Sequence, residues 1–439
     1  MIDLHINPSF SLNGNIQVPG DKSISHRSIL IGALGDGISM VAGFLPGSDC
    51  LATLSCLRSL GVEIVESEEN LIIRGVGMYG LKRPNSSLNC VRSGTTMRLL
   101  TGLLSAQLFE STLEGDEQLL RRPMRRVTEP LGLMGALIHT NDGHAPIDII
   151  GTPLHGIEYA MPIASAQVKS ALLLAGLYAD DSTTIHQPGP TRDHTERMLN
   201  MMGASVLTDG STIQIYPCEK LSPLSSDEGS IYRVPGDISS AAFPLVAALL
   251  VTGSRITIEN VGINPTRTGL LDVLTQMGAK ISLTSLNDDI SSQIGEPVSM
   301  VTVENSELKG IEIKGDVVVR MIDEFPILAV AATQAHGTTI VHDAEELRVK
   351  ETDRIAAIVL ELKKLGANIE ALPDGFIVEG PTPLRSSVVD SHNDHRLAMA
   401  LSVAGLITSG EVIVNNVDWI GDSFPGYISL MQKLGAQYT

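Results

Sequence analysis

The sequence predicts an α/β protein of six pseudo-symmetric units, three to a domain, arranged around helices buried on every side. Two observations predict it. The first is a recurring segment, rich in Leu or Met, that ends in Leu-Gly or Met-Gly and leads into a strand. It occurs as CLRSLGVEI, PLGLMGALI, MLNMMGASV, VLTQMGAKI, ELKKLGANI and LMQKLGAQY. Its glycines are Gly61, Gly135, Gly203, Gly278, Gly366 and Gly435, spaced by 68 to 88 residues. The second observation is a set of six apolar segments lying between these markers, each closed by a short turn and a β-branched strand.

Each marker reads as an amphipathic helix stopped by a glycine at positive φ, from which the chain leaves as a strand. The longest interval contains NDDISSQIGEPVS, read as a surface insertion. The six apolar segments open SISHRS, SGTTM, SAQVK, DISSA, DEFPI and NDHRL. Each opens on Ser, Asp or Asn, whose side chains accept from the free N–H groups of a helix start. Each continues in Ala, Leu and Val with almost no polar face, which predicts burial all round. Three such helices per domain, roughly parallel, would gather their N-termini on one face. Free N–H groups and positive dipole ends make that face suited to anions.

The first apolar segment carries the first chemistry. In VPGDKSISHRS, Pro19-Gly20 precede Lys22, His26 and Arg27, and the apolar helix is expected to follow at ILIGAL. His26 is expected to hold a structural hydrogen bond.

Composition narrows the possible functions. The chain of 439 residues is 43% hydrophobic but only 3% aromatic, so its core must be aliphatic, with 41 glycines permitting close backbone approach. A net charge of −19 argues against a nucleic-acid partner and favours solubility, and it leaves room for a local basic cleft. Cys50, Cys56, Cys90 and Cys218 lack CxxC spacing and read as free thiols. There is neither a basic n-region with an apolar h-region nor an apolar run long enough to span a bilayer. A cytoplasmic protein without a membrane partner is expected.

Two motifs yield to simpler readings. GVGMYG (Gly75, Gly77, Gly80) matches a dinucleotide fingerprint, but LKRPNSSLN follows it where a helix is needed, so it reads as a turn between strands. In SHNDH, His392, Asp394 and His395 could hold a metal, yet the Asn and Asp sit where the next helix needs caps.

The placement of the cations is more informative. Lys22 and Arg27 lie at the first buried helix, Arg98 in the second, Arg121 and Arg122 before Pro123, and Arg192 in PGPTRDHTE. Lys350 and Arg354 frame KETDR, and Arg396 follows His395. Positive charge at a helix start opposes the dipole, so the set reads as a ligand site. Two carboxylates accompany it. Asp323 could cap its helix, and Glu351 could form an ion pair, as readily as either could act on a substrate.

At these residues the chain resembles the 5-enolpyruvylshikimate-3-phosphate synthase family, in its second sequence class. The likeness runs the whole length through PGDKSISHRS, SGTTMRLL, RRPMRRV, SAQVKSALLLAG, TRDHTERML, PGDISSAAF, DEFPILAVAA, RVKETDRI and NDHRLAMA. It implies a two-domain inside-out α/β barrel of six βαβαββ repeats. It also implies an N-terminal domain at 21–235, a second domain from 1–20 and 236–439, and hinge crossings near 20 and 236. The activity implied is transfer of the enolpyruvyl group of phosphoenolpyruvate to the 5-hydroxyl of shikimate 3-phosphate, with neither metal nor organic cofactor; a monomer is expected.

By position, the resemblance assigns shikimate 3-phosphate to Lys22, Ser23, Arg27, Ser165, Ala166, Gln167, Arg192, Asp323 and Lys350. It assigns phosphoenolpyruvate to Lys22, Gly94, Arg122, Gln167, Arg354 and Arg396. Asp323 matches the proton acceptor and Glu351 the proton donor, with Lys22 as the third catalytic group. Bidentate Arg forks suit both carboxylate and phosphate. The chain departs from the family at VRSGT, where Arg92 replaces the usual Asn, and at GDSFPGY, where Asp422 stands in place of a Lys found in some members. Gly94 leaves room for the inhibitor glyphosate. Two rival readings are an enolpyruvyl transferase acting on UDP-N-acetylglucosamine and a non-catalytic binder of an anionic metabolite. The first lacks its reactive Cys loop here, and the second has no need of Asp323 and Glu351.

Overall fold

The computed structural model describes residues 2–67, 70–225, 230–286 and 295–439. They fold as two compact units. One comprises Gly20–Val234 with Gln293–Glu296, and the other Met1–Pro19, Pro235–Ser292 and Pro297–Thr439.

Among the described residues the strands form six four-stranded sheets. In every sheet one pair of strands is parallel and the other two pairs are antiparallel. The repetition read from the sequence is therefore a repetition of sheets. Each marker glycine takes positive φ: Gly61 +89°, Gly135 +95°, Gly203 +92°, Gly278 +100°, Gly366 +91° and Gly435 +111°. In this left-handed region a Cβ is disfavoured, so glycine turns the chain out of the helix into the strand.

Distant segments complete some sheets. Tyr232–Arg233 adds a parallel strand to Ile38–Ala42, with Tyr232 opposite Val41. In the other unit Asn13–Gln17 lies parallel to Arg255–Gly262, with Ile16 opposite Ile258. Leu4–Asn7 is inserted antiparallel between Val412–Asn415 and Gln437–Tyr438. The first 19 residues thus finish two sheets of the unit that otherwise begins at Pro235.

Six helices form the interior: α1 (Lys22–Gly32), α2 (Gly94–Leu104), α3 (Ala166–Gly176), α4 (Ile238–Leu250), α5 (Phe325–Thr333) and α6 (His395–Gly405). All are buried after their first residues, except for Leu250 at the end of α4. Burial on every side follows from their lack of a polar face. Close contact between α2 and α3 depends on Gly102, where a Cβ would lie 2.2 Å from the Ala171 carbonyl oxygen.

Several expectations need correction. α1 begins at Lys22, before ILIGAL, so Lys22, His26 and Arg27 are helical; its cap is Asp21, whose carboxylate accepts from the Ile24 N–H at 2.9 Å. Ser93, Ser165, Asp237 and Asp394 cap α2, α3, α4 and α6 through their side chains. α5 has no side-chain cap: Glu324 occupies that position and Asp323 lies one residue earlier, so capping is not what occupies Asp323. Pro326 near the start of α5 supplies no N–H to be capped. GVGMYG is a turn region with no helix after it. Of the segment read as an insertion, residues 287–294 lie outside the described residues, and its end enters the strand Val298–Glu304. The four cysteines are free thiols. No described helix is long and apolar enough to cross a membrane.

Candidate active site

In the unit holding α1–α3, the first turns of the three helices carry linked polar side chains. Lys22, the first residue of α1, pairs with Asp49. The Ser23 hydroxyl accepts from Arg192 Nη1 at 3.2 Å. Arg27, one turn further on, donates to the Ser23 carbonyl at 2.9 Å, to Thr195 Oγ1 at 2.7 Å and to Ser170 Oγ at 2.7 Å. From α2, Arg98 donates to Gln167 Oε1 at 2.6 Å, and Gln167 Nε2 donates to Thr95 Oγ1 at 2.9 Å. Gln167 is thereby held between the starts of α2 and α3, directly after Ser165 and Ala166. A Cβ on Gly94 would sit 2.8 Å from Arg98 Nη1 and 3.1 Å from Arg122 Nη1. The bare backbone at Gly94 is what allows two guanidinium groups to approach the start of α2.

Not every cation at these helix starts belongs to the cluster. Arg121 is mostly exposed and pairs with Glu117 at the surface. Arg92 turns its Nε to Gln118 Oε1 at 2.7 Å. The residue before it, Val91, has φ +51°, a strained value for a β-branched side chain. A separate groove lined by Arg83, Glu110, Thr112, His139 and Asp148 contains none of the predicted site residues.

In the other unit the second set is organised by one buried guanidinium. Arg354 opens the helix Arg354–Lys364 and is 2% exposed. It donates to Asp394 Oδ2 at 2.7 Å, to Glu351 Oε2 at 2.8 Å and, at a long 3.4 Å, to Asp323 Oδ1. Asp394 also caps α6, accepting from the Arg396 N–H at 2.9 Å. The Arg396 guanidinium lies 3.7 Å from Asp323 Oδ2 and 3.9 Å from Glu324 Oε1. Lys350 stands apart from this group and bonds Glu346 at 3.1 Å.

One unit thus presents helix starts and cations that the sequence singled out, and the other presents cations together with both carboxylates, Asp323 and Glu351. The profile of the family described as "EPSP synthase (3-phosphoshikimate 1-carboxyvinyltransferase)" matches residues 6–431.

The chain belongs to the EPSP synthase family.

Curated relatives agree over the full length. The 3-phosphoshikimate 1-carboxyvinyltransferase of Geobacter sulfurreducens is 50% identical over 100% of both chains. That of Brevibacillus brevis is 48% identical over 98% of this chain and 99% of its own. A solved EPSP synthase from Acinetobacter baumannii superposes with a TM-score of 0.88 at 44% identity, covering 100% of this chain and 99% of the other.

Within this family member the electrostatics of the two sets differ. Burial pulls Arg27 down to about 10, against the attraction of Glu196, and the side chain stays protonated at neutral pH. Burial also disfavours the charge of Arg354, but Asp394, Glu351 and Asp323 outweigh it, and the guanidinium is held above its ordinary range. Burial raises the Glu324 carboxyl, which accepts from the Ser239 hydroxyl.

His26 is excluded from acid–base work. It is buried, its Nδ1 bonds Thr53 Oγ1 at 2.7 Å, and burial holds it down to about 3. The unfolded chain protonates this side chain below 6.5 and the folded chain does not. Between 6.5 and about 3 the unfolded state therefore binds one more proton, and stability falls as pH is lowered. The expected slope is about 1.4 kcal/mol per pH unit from this residue. Urea unfolding of the parent and of His26→Gln at several pH values between about 7 and 5 checks it. Equal slopes for the two proteins would refute it.

SHNDH serves capping, the reading its Asn and Asp favour in the sequence. Asp394 caps α6, His392 Nε2 bonds Glu361 at 2.8 Å, and no group of potential metal ligands occurs among the described residues. Sequence reasoning missed Asp394 as the main counter-charge of Arg354, and it missed the Ser170–Thr195 cradle of Arg27. The resemblance assigned Arg98 to neither substrate, although Arg98 lies one helical turn after Gly94 and so on the same face.

Proposed function

We propose that this chain transfers the enolpyruvyl group of phosphoenolpyruvate to the 5-hydroxyl of shikimate 3-phosphate, releasing phosphate. The observation that carries the reading is the Arg354 guanidinium. It bonds both carboxylates assigned to proton transfer, Asp323 and Glu351, at 3.4 and 2.8 Å. A scaffold that merely bound an anion would gain nothing from placing two carboxylates beside its cations.

The roles follow from charge. Lys22, Ser23, Arg27, Ser165, Ala166, Gln167, Arg192 and Lys350 anchor shikimate 3-phosphate. Lys22, Gly94, Arg122, Gln167, Arg354 and Arg396 anchor phosphoenolpyruvate. Asp323 accepts the 5-hydroxyl proton as that oxygen attacks C2, and Glu351 delivers a proton to C3. The product of this addition is a tetrahedral ketal phosphate. Glu351 then takes a proton back from C3 as phosphate departs with the proton held by Asp323, which restores the enol double bond and both carboxylates, with Lys22 and the arginines stabilising the leaving dianion. The reading includes chain crossings near residues 20 and 236, and a cytoplasmic monomer working on two small anions.

Phosphate release from phosphoenolpyruvate tests it, with two acceptors compared. Release is expected with shikimate 3-phosphate and not with UDP-N-acetylglucosamine. The opposite preference would transfer the chain to the rival activity, and no release with either would favour a binder.

A further inference from the structure

The shikimate 3-phosphate anchors rest on a buried ion pair to which the reading above gives no role. Lys169, on α3, is 1% exposed, and its Nζ lies 2.5 Å from Glu196 Oε1. Glu196, in the helix His194–Met201, is 4% exposed, and its Oε2 has no hydrogen-bond partner among the described residues. Lys169 also approaches the Thr191 carbonyl, at a long 3.5 Å. Ser170 follows Lys169 on α3 and Thr195 precedes Glu196 on its helix; their hydroxyl oxygens lie 2.7 Å apart, and both accept from Arg27.

Arg27 is 3% exposed, and its three hydrogen-bond acceptors among the described residues are neutral: two hydroxyls and the Ser23 carbonyl. A guanidinium buried on neutral oxygens keeps its charge available to a ligand. Glu196, Asp21 and Glu296 all attract Arg27, and Glu196 directly follows Thr195, one of its acceptors. We infer that Lys169 is a positioning residue that neutralises Glu196 and so leaves the charge of Arg27 for the phosphate of the substrate. The inference rests on Arg27 being a shikimate 3-phosphate anchor.

Loss of Lys169 alone would leave the buried Glu196 carboxylate to Arg27. Glu196 would then draw Arg27 off the Ser170–Thr195 cradle and compete with the substrate phosphate. Loss of both members leaves no lone charge. The side chain acts through Arg27, so the effect should fall on one substrate.

Steady-state kinetics of the full chain, with each substrate varied in turn, test this in four variants. Lys169→Met is expected to raise KM for shikimate 3-phosphate about tenfold, with KM for phosphoenolpyruvate within about twofold of the parent. Glu196→Gln and the Lys169→Met/Glu196→Gln double variant are expected to hold KM for shikimate 3-phosphate within about threefold. Arg27→Ala is expected to raise it. If Arg27→Ala raises it and folded Lys169→Met does not, the inference falls while the site reading stands. If Arg27→Ala leaves it unchanged, both fall. Equal rises for both substrates in Lys169→Met would mark a structural role and overturn the inference. Should Lys169→Met fail to fold, a rise of about tenfold in the double variant would overturn it, and a near-parental value would uphold it.

Discussion

Asp323→Asn should lower kcat by about two to four orders of magnitude while changing KM for either substrate little. Asn keeps the size of the side chain and its ability to accept from Arg354, which lies 3.4 Å from Oδ1. What it loses is the capacity to take a proton. Arg396, 3.7 Å from Oδ2, would keep its other neighbour, Glu324. The backbone should be undisturbed, because α5 does not use Asp323 as its cap. Phosphate release at saturating substrate, with an unfolding curve for the same variant, checks the expectation. A variant with parental kcat would remove Asp323 from the chemistry.

Arg354→Met should destabilise the protein by about 3–5 kcal/mol, the usual result of taking one partner from a buried ion pair. Asp394 is wholly buried and would lose its cation, keeping the N–H groups of Arg396 and Leu397. Most of the loss comes from leaving that carboxylate desolvated, since Glu351 and Asp323 are 30% and 16% exposed and can be rehydrated. Denaturant unfolding measures the loss. Arg354→Met/Asp394→Asn should recover part of it, because no charge is then left buried alone and Asn can still cap α6. A single variant as stable as the parent would show that Arg354 does not hold this cluster together.

The repeats and the helices were legible in the sequence because both are written in local terms. A helix lacking a polar face must be buried, and a glycine after an amphipathic run marks a positive-φ exit. Gly61, Gly135, Gly203, Gly278, Gly366 and Gly435 all exit in this way. The chemistry of the site was legible as residue type and as position at helix starts. Where local reading failed, a neighbouring residue satisfied the same rule. Asp21 caps α1 in place of the serine two residues on, and Arg121 faces solvent although it adjoins Arg122. For Asp323 the sequence leaves a cap and a substrate group equally open, because Asp before an apolar run commonly is a cap. A proline at the second position of α5 relaxes the need for a cap and leaves the carboxylate to Arg354 and Arg396.

The sequence by itself determined the six units, the identity of the buried helices, their glycine exits and the inventory of cations and carboxylates. Tertiary structure alone decided which of these groups meet. Arg27 finds Thr195 across 168 residues of chain, Arg98 finds Gln167 across 69, and Arg354 finds Asp394 across 40. It also decided that residues 4–7 and 13–17 close sheets whose other strands begin beyond residue 250. The physical reason is range. Helix caps, φ preferences and burial periodicity act within a few residues, so a window of sequence contains them. Strand pairing and ion pairing depend on groups that only the packed chain brings within a few ångströms of one another.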